Sequence, residues 1–203
     1  MNKVGIVILA AGGSSRLGQP KQLLEFRGKT LLQHVIDEAL ATKAASVVVV
    51  IGANHELIAE KTILDGTAVT VNEHWQSGMA SSIHAGIGAL VNDWRIESAL
   101  LTLCDQPYLD RKLIKSLVRK QQESGKPIVA SAYGGIVGVP AVFSREMFPA
   151  LLSLQGHEGA RKLITSNLKN LETLAFPNGI IDIDTPADYH YLQNEKKPES
   201  GEV

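Results

Sequence analysis

A glycine-rich loop with two cations follows the first apolar stretch of the chain. It spans residues 9–21 and reads Leu-Ala-Ala-Gly-Gly-Ser-Ser-Arg-Leu-Gly-Gln-Pro-Lys. Its glycines let backbone N–H groups converge on phosphate oxygens, because no Cβ blocks the approach. Arg16 can bridge two such oxygens with its planar guanidinium group, and Lys21 supplies a compact charge. The spacing predicts a loop that holds a triphosphate; an ordinary strand-to-helix turn with surface charges is the alternative.

Two acidic segments follow later apolar stretches. Asp105 comes just after the strand predicted at 99–103, and a carboxylate there can hold Mg²⁺ bound to substrate phosphates. Asp182 and Asp184 would share one face of an extended segment, so that one or both could meet Asp105. The alternatives are an Asp105 that only forms a turn and an Asp184 that only helps Thr185 to cap the last helix.

A third group of candidate residues lies between Asn72 and Ser82, where a predicted strand ends and a helix of small residues begins. Gly78 would let a nucleobase approach the backbone, and Ser82 adds a hydroxyl group. Trp75 could stack on a base, but an indole that merely packs over the turn is the alternative. From the residues alone, the segment could either contact a nucleobase or form a purely structural turn.

Alternating strands and helices must position these loops. Apolar runs predict strands over 4–9, 47–51, 68–71, 99–103, 128–132, 140–143, 171–175 and 180–183. Helical spacing predicts helices over 31–40, 56–64, 80–91, 113–122, 146–154, 159–168 and 186–192, with Thr30 and Thr185 as N-caps. This order is typical of an α/β protein with three α/β/α layers and a mainly parallel, Rossmann-like sheet.

Composition limits the classes of function. The 203 residues include 20 basic and 21 acidic side chains, so no overall field favours nucleic acid or an anionic membrane. We expect one domain over 1–193 and a polar, disordered tail over 194–203. The single cysteine, Cys104, cannot form an internal disulfide, and no targeting or membrane-spanning segment is evident. We therefore expect a soluble cytoplasmic protein, with Cys104 buried rather than nucleophilic.

The loop also excludes some nucleotide sites. It is not a Walker A loop, which would need Lys and Ser or Thr directly after its second glycine, and it lacks the Gly-x-Gly-x-x-Gly pattern of dinucleotide-binding proteins. A dinucleotide site is therefore not expected.

The candidate segments share a family resemblance. The loop resembles the signature Leu-Ala-Ala-Gly-x-Ser-x-Arg-Met-Gly-x-x-Lys, with Leu17 at the Met position. Cys-Asp-Gln-Pro at 104–107, Asp-x-Asp-Thr-Pro-x-Asp at 182–188 and Asn-x-x-Trp-x-x-Gly-Met-x-x-Ser at 72–82 extend the similarity to nearly all of the chain except its tail. The chain thus resembles the molybdenum cofactor cytidylyltransferase and related molybdopterin nucleotidyltransferase family, whose sheet is of the nucleotide-diphospho-sugar transferase type.

The resemblance implies roles for individual residues. The catalytic set would be Arg16, Lys21, Asp105 and Asp184, of which Asp105 and Asp184 would bind Mg²⁺, with Asp182 in reserve. The nucleotide-binding set would be Leu9, Ala10, Ala11, Gly12, Gly13, Ser14, Arg16, Lys21, Asn72, Gly78, Met79, Ser82 and Asp105. The acceptor-binding set would be Gly138, Pro140, His157 and Arg161.

Two positions near the acceptor depart from the family pattern. Val139 stands where His or Asn is common, and it offers no side-chain hydrogen bond. His157 stands where Asp is common and replaces a carboxylate with an imidazole, although a plain surface role is the alternative. Both departures bear on the identity of the acceptor.

The implied reaction is attack by an acceptor phosphate on the α-phosphorus of a nucleoside triphosphate, with release of pyrophosphate. The Leu-Ala-Ala-Gly opening resembles the cytidylyl branch more than the guanylyl branch, which commonly has Leu-Ala-Gly-Gly, so CTP and molybdopterin are the expected substrates. One alternative is a nucleotidyltransferase for another phosphorylated small molecule. Another is a non-catalytic carrier that delivers the molybdenum cofactor to a partner molybdenum hydroxylase or dehydrogenase. Paired carboxylates discriminate between these classes, because binding without turnover does not require them to share Mg²⁺.

Overall fold

The computed structural model describes residues 1 and 3–194, which form one seven-stranded sheet between helices and a separate two-stranded ribbon. The strands are β1 (Val4–Ala10), β2 (Glu25–Phe26), β3 (Lys29–Thr30), β4 (Ser46–Ile51), β5 (Ala68–Val71), β6 (Ser98–Leu103), β7 (Ile128–Tyr133), β8 (Ile136–Ser144) and β9 (Leu171–Ala175). The α-helices are α1 (Leu31–Leu40), α2 (His55–Lys61), α3 (Met79–Val91), α4 (Arg111–Ser124), α5 (Phe148–Leu152), α6 (Ala160–Ser166) and α7 (Pro186–Asn194).

The large sheet is mainly parallel, as predicted. Its strand order is β5-β4-β1-β6-β8-β7-β9, and β2 with β3 forms the ribbon. Strand β1 pairs in parallel with β4 and β6, whereas β8 runs antiparallel to both β6 and β7. The carboxyl ends of β1, β4 and β6 therefore meet at one edge, where ligands of open α/β sheets bind.

The core explains why β1 is apolar at every position. All seven of its residues are buried, and alternate side chains enter two separate clusters. Val7 packs with Ile83 and Ile87 of α3, whereas Ile6 lies in the cluster on the opposite face. A strand covered by helices on both faces cannot show the polar alternation of a half-exposed strand. Helix α3 comes close to the sheet at Gly86, where an added Cβ would overlap the side chain of Val7.

Some predicted elements were wrong. The strand predicted at 180–183 is absent: Pro177–Ile180 forms a 3₁₀ turn, followed by residues outside any regular element. Pro, Asn and Gly favour that turn, which the Gly179 N–H stabilises by donating to the Phe176 carbonyl at 2.8 Å. The helix predicted at 146–154 is divided into a 3₁₀ turn (Arg145–Met147) and α5. The strand predicted at 140–143 is only the second half of β8.

Both predicted N-caps are confirmed. Thr30 Oγ1 accepts a hydrogen bond from the Gln33 N–H at 3.1 Å. Thr185 Oγ1 accepts from the Asp188 N–H, while Asp188 Oδ2 accepts from the Thr185 N–H at 2.7 Å, which forms a capping box. Asp188, rather than Asp184, therefore helps Thr185 to cap α7.

Of the tail predicted over 194–203, Asn194 is the last residue of α7, and residues 195–203 lie outside the described residues. Among residues 1 and 3–194, no helix is both long enough and apolar enough to cross a membrane.

Candidate functional site

Two cations and two carboxylates from distant parts of the sequence meet beyond the carboxyl end of the sheet. Lys21 Nζ donates to Asp105 Oδ2 at 2.5 Å and to Asp184 Oδ1 at 2.9 Å. Arg16 Nη2 donates to Asp184 Oδ2 at 2.8 Å. Because both carboxylates contact one ammonium group, the structure brings together the four residues predicted to be catalytic.

Burial strengthens the electrostatic interactions between the charged groups of this cluster. The Lys21 side chain is 17% exposed and that of Asp105 only 9%. Burial by itself would lower the pKa of Lys21, but the adjacent Asp105 carboxylate outweighs it and raises the pKa above its usual range. The hydrogen bond from Lys21 lowers the pKa of Asp184. Lys21 and Asp184 therefore both carry their charges at neutral pH.

One oxygen of the Asp105 carboxylate has no hydrogen-bond partner among residues 1 and 3–194. Asp105 Oδ1 is buried and accepts no hydrogen bond from the described part of the chain. A buried anionic oxygen suits a hard divalent cation, which prefers oxygen ligands. Within residues 1 and 3–194, no group of three or more His, Cys, Asp or Glu side chains is arranged as a metal site. The residues therefore fit a cation held by Asp105 and Asp184 together with substrate phosphates, rather than one enclosed by the protein.

The buried side chain of Gln22 holds the start of the glycine-rich loop in place. Its buried Nε2 donates to the carbonyls of Ala10 at 2.6 Å and Gly12 at 2.9 Å. The Lys21 N–H also donates to Ser14 Oγ at 3.0 Å, which ties the end of the loop to its middle. These bonds preorganise the loop. Gln22 was not predicted as a site residue, because its only signal in the sequence is its position next to Lys21.

A cavity of about 320 Å³ opens above this loop. Its lining includes most of the residues predicted to bind nucleotide, namely Leu9, Ala10, Ala11, Gly12, Gly13, Lys21, Gly78, Met79, Ser82 and Asp105. We call it the loop cavity. Ser14 and Arg16 instead line a smaller cleft of about 140 Å³ next to it, together with Asp184.

Asn72 lies behind the loop cavity rather than in its lining. Its Nδ2 donates to Ser81 Oγ at 2.8 Å and Ser82 Oγ at 3.0 Å, and its Oδ1 accepts from the His74 N–H. These bonds tie the end of β5 to the start of α3. Asn72 is thus placed to support the site without touching its contents.

Trp75 is both a packing residue and part of the cavity wall. Its indole lies so close to Gly13 that an added Cβ there would approach the ring to 3.0 Å. It also lines the loop cavity. Part of the indole therefore packs against Gly13, as the alternative prediction had it, while another part of the ring faces the loop cavity and can contact a ligand.

A second cavity of about 320 Å³ adjoins the first and shares Leu9, Met79 and Leu103 with it. We call it the acceptor-side cavity. Its lining contains Gly138 and Arg161 from the predicted acceptor set, whereas Pro140 is buried and lies outside the lining. Residues not predicted for either set also line it, namely Ile83, Gln106, Tyr133, Ile136, Gly159, Ala160, Gly179 and Ile180.

His157 was predicted to bind the acceptor, but it lines the loop cavity rather than the acceptor-side cavity. The reason is a backbone contact: the carbonyl of the preceding Gly156 accepts from the Ala80 N–H at 3.1 Å. This bond places the segment at the start of α3, next to the glycine-rich loop.

Asp182 and Cys104 complete the surroundings of the cluster. Asp182 lines the acceptor-side cavity, and its pKa is raised by burial and by the nearby carboxylates of Asp105 and Asp184. Cys104 is buried, as predicted, and burial raises the pKa of its thiol to about 12. A thiol of this kind is not activated as a nucleophile.

An open, mainly parallel sheet with a glycine-rich loop and a buried Lys–carboxylate cluster beyond its carboxyl edge defines a nucleotide-binding protein of the α/β class. Comparison with known families makes the assignment specific: residues 6–171 match the MobA-like NTP transferase domain. The chain belongs to this family.

Individual relatives carry different names. The chain is 34% identical over 164 residues to nicotine blue oxidoreductase of Paenarthrobacter nicotinovorans, covering 76% of this chain and 78% of that protein. It is 26% identical over 186 residues to a molybdenum cofactor guanylyltransferase of Photobacterium profundum, covering 90% and 91%. Among solved structures, Rv0371c of Mycobacterium tuberculosis H37Rv superposes with a TM-score of 0.83 at 31% identity, covering 94% and 96% of the two chains. Rv0371c has also been crystallised in complex with manganese.

Proposed function

We propose that the chain is a nucleotidyltransferase that transfers a nucleoside monophosphate to the phosphate of molybdopterin and releases pyrophosphate. The favoured nucleotide is CTP, which would donate CMP. One observation carries the proposal: Lys21 bridges Asp105 and Asp184 beside the glycine-rich loop. Family membership and the guanylyltransferase relative support this class of reaction. In the proposal, residues 1–193 act as one catalytic domain.

The two adjoining cavities provide the arrangement that such a transfer needs. The nucleotide would lie in the loop cavity and the acceptor in the acceptor-side cavity, which meet at Leu9, Met79 and Leu103. An acceptor phosphate oxygen forms a bond to the α-phosphorus, and the bond from that phosphorus to the bridging oxygen of the β-phosphate breaks. Pyrophosphate leaves with the electron pair. Because the nucleophile is already an anion, the protein's task is alignment and charge neutralisation.

The cations and carboxylates have separate tasks. Lys21 and Arg16 neutralise the charge that grows on the departing pyrophosphate. Asp105 and Asp184 would hold Mg²⁺, and the buried Asp105 Oδ1, which accepts no hydrogen bond from the described residues, supports this role. When bound, the cation would reduce the mutual repulsion of the substrate phosphates. The manganese complex of Rv0371c supports a divalent ion, and Mg²⁺ is our proposal for this chain.

The choice of base and partner extends the proposal. The Leu-Ala-Ala-Gly opening supports CTP, whereas the relative from Photobacterium profundum is named a guanylyltransferase. The product would pass to a molybdenum hydroxylase or dehydrogenase in a reducing cytoplasm, a location that suits a free buried thiol.

Pyrophosphate release tests the proposal directly. CTP, GTP, ATP and UTP are each incubated with the protein and Mg²⁺, with and without molybdopterin. We expect release only when molybdopterin is present, and fastest with CTP. A parallel assay follows oxidation of NADH and NADPH, because one relative is named an oxidoreductase. If no triphosphate gives pyrophosphate release, the result would favour a non-catalytic carrier of the molybdenum cofactor or a different phosphorylated acceptor. Oxidation of NADH or NADPH would contradict the proposal.

A further inference from the structure

The acceptor-side cavity has mostly apolar walls. Leu9, Ile83, Leu103 and Val139 contribute aliphatic surface to its lining. A wall of this kind gains free energy by covering the apolar faces of a ring rather than a hydrated chain. The few polar groups in the lining must therefore decide which ring is accepted and in which orientation.

Gln106 is a buried polar side chain of this lining, and its hydrogen bonding is incomplete. The residue is 3% exposed, and its Oε1 is buried without a hydrogen-bond partner among the described residues. Its Nε2 donates to the Val139 carbonyl at 3.0 Å. Tyr133 Oη donates to the same carbonyl, also at 3.0 Å.

These bonds fix which end of the amide is available. If the Gln106 amide were turned over, its oxygen would face the Val139 carbonyl oxygen, and two acceptors would repel each other. Nε2 therefore stays on the wall, and Oε1 is the end left without a partner. A buried acceptor without a donor is unfavourable, so a ligand that brings a donor removes that penalty.

We propose that Gln106 determines acceptor specificity: its Oε1 accepts a hydrogen bond from an N–H or O–H group on a heteroaromatic ring bound in the acceptor-side cavity. This inference rests on the proposed function, because that function makes molybdopterin the ligand of the acceptor-side cavity. It also explains how Val139, which has no polar side chain, still contributes to recognition. Its carbonyl orients the Gln106 amide, and its side chain lies in the apolar wall.

Two planar ligands of the same ring system test this hydrogen bond. Lumazine carries two ring N–H groups, whereas 1,3-dimethyllumazine carries none. Binding of each to the wild-type chain is measured by calorimetry without any nucleotide. We expect lumazine to bind about tenfold more tightly, which is the scale of one hydrogen bond to a buried acceptor.

Gln106→Met tests the residue itself. Methionine has a similar length and no acceptor oxygen, so the variant should bind the two ligands equally. The Tyr133 hydroxyl still donates to the Val139 carbonyl and holds the wall in place. Gln122→Met is the matched control, because Gln122 is exposed on α4 and should leave the tenfold preference unchanged.

The outcomes separate this proposal from the proposed function. It is overturned if the wild-type chain binds both ligands equally or binds neither, a result that needs no folded variant. A preference that survives in Gln106→Met also overturns it. Loss of the preference in that variant alone supports it. Absence of pyrophosphate release with every triphosphate would defeat the proposed function but would leave this binding comparison intact.

Discussion

The Ala80 N–H donates to the Gly156 carbonyl at 3.1 Å and joins the start of α3 to the segment that carries His157. Gly78 makes this contact possible. Its φ is +111°, and an added Cβ would overlap the Gly156 carbonyl group. A single backbone contact thus brings a late segment of the chain to the glycine-rich loop.

Gly78→Ala should therefore damage both stability and the loop cavity. The methyl group would push the Gly156 backbone away, and the backbone would hold an unfavourable φ. We expect a loss of about 2 kcal/mol in the free energy of unfolding, which urea titration measures, and weaker nucleotide binding. Gly88→Ala is the control: Gly88 lies in α3, which begins directly after Gly78, and nothing lies within 4 Å of its Cβ position, so the stability of this variant should change by no more than about 1 kcal/mol. Equal stability of the two variants would contradict the role of the contact.

Lys21→Ala and Asp105→Ala should lower turnover more than they lower stability. Each removes a preorganised charge next to the reacting phosphates, and we expect turnover to fall on the order of a hundredfold. Steady-state pyrophosphate release and urea unfolding provide the two measurements. Lys61→Ala serves as the control, because Lys61 forms an exposed pair with Glu60. Normal turnover in either site variant would remove that residue from the proposed catalytic set.

Much of the sheet could be predicted because burial on both faces leaves a strong apolar signal in β1, β4 and β6. The strand predicted at 180–183 failed for the opposite reason. Ile180 is 61% exposed on a 3₁₀ turn, while Ile183 is buried in a small separate cluster, so isoleucines in unrelated surroundings produced an apolar pattern similar to that of a strand. Apolar residues alone do not reveal which surface covers them.

The charged part of the site could also be anticipated, because loops that leave neighbouring parallel strands meet at one edge. The two buried glutamines of the site could not be predicted. Gln22 and Gln106 each follow a charged residue of the site, and an amide carries no periodic pattern. Their importance comes from the carbonyls that they contact, namely those of Ala10, Gly12 and Val139. Such contacts arise only after the chain has folded.

Cys104 should resist modification in the folded protein. Burial raises the pKa of its thiol to about 12, so both access and thiolate formation are suppressed. At about pH 8, Ellman's reagent should release almost no thionitrobenzoate from the native chain and one equivalent per chain in urea. Rapid reaction of the native protein would show that β6 opens at its carboxyl end. Such opening would also disturb the neighbouring Asp105.

Glu38 should make stability depend on pH at a place remote from the site. Arg111 donates to its carboxylate from both the backbone N–H and the guanidinium group, and the side-chain hydrogen bond lowers the Glu38 pKa below its ordinary value of 4.5. A pKa that is lower in the folded state stabilises the protein above the unfolded pKa, and this contribution is lost as pH falls through the folded value. Glu38→Gln should therefore lower the free energy of unfolding near neutral pH, and the difference should shrink below pH 4.5. Glu60→Gln, in an exposed pair, should show little difference at any pH. Urea titrations across this range would refute the assignment if the Glu38→Gln difference stayed constant.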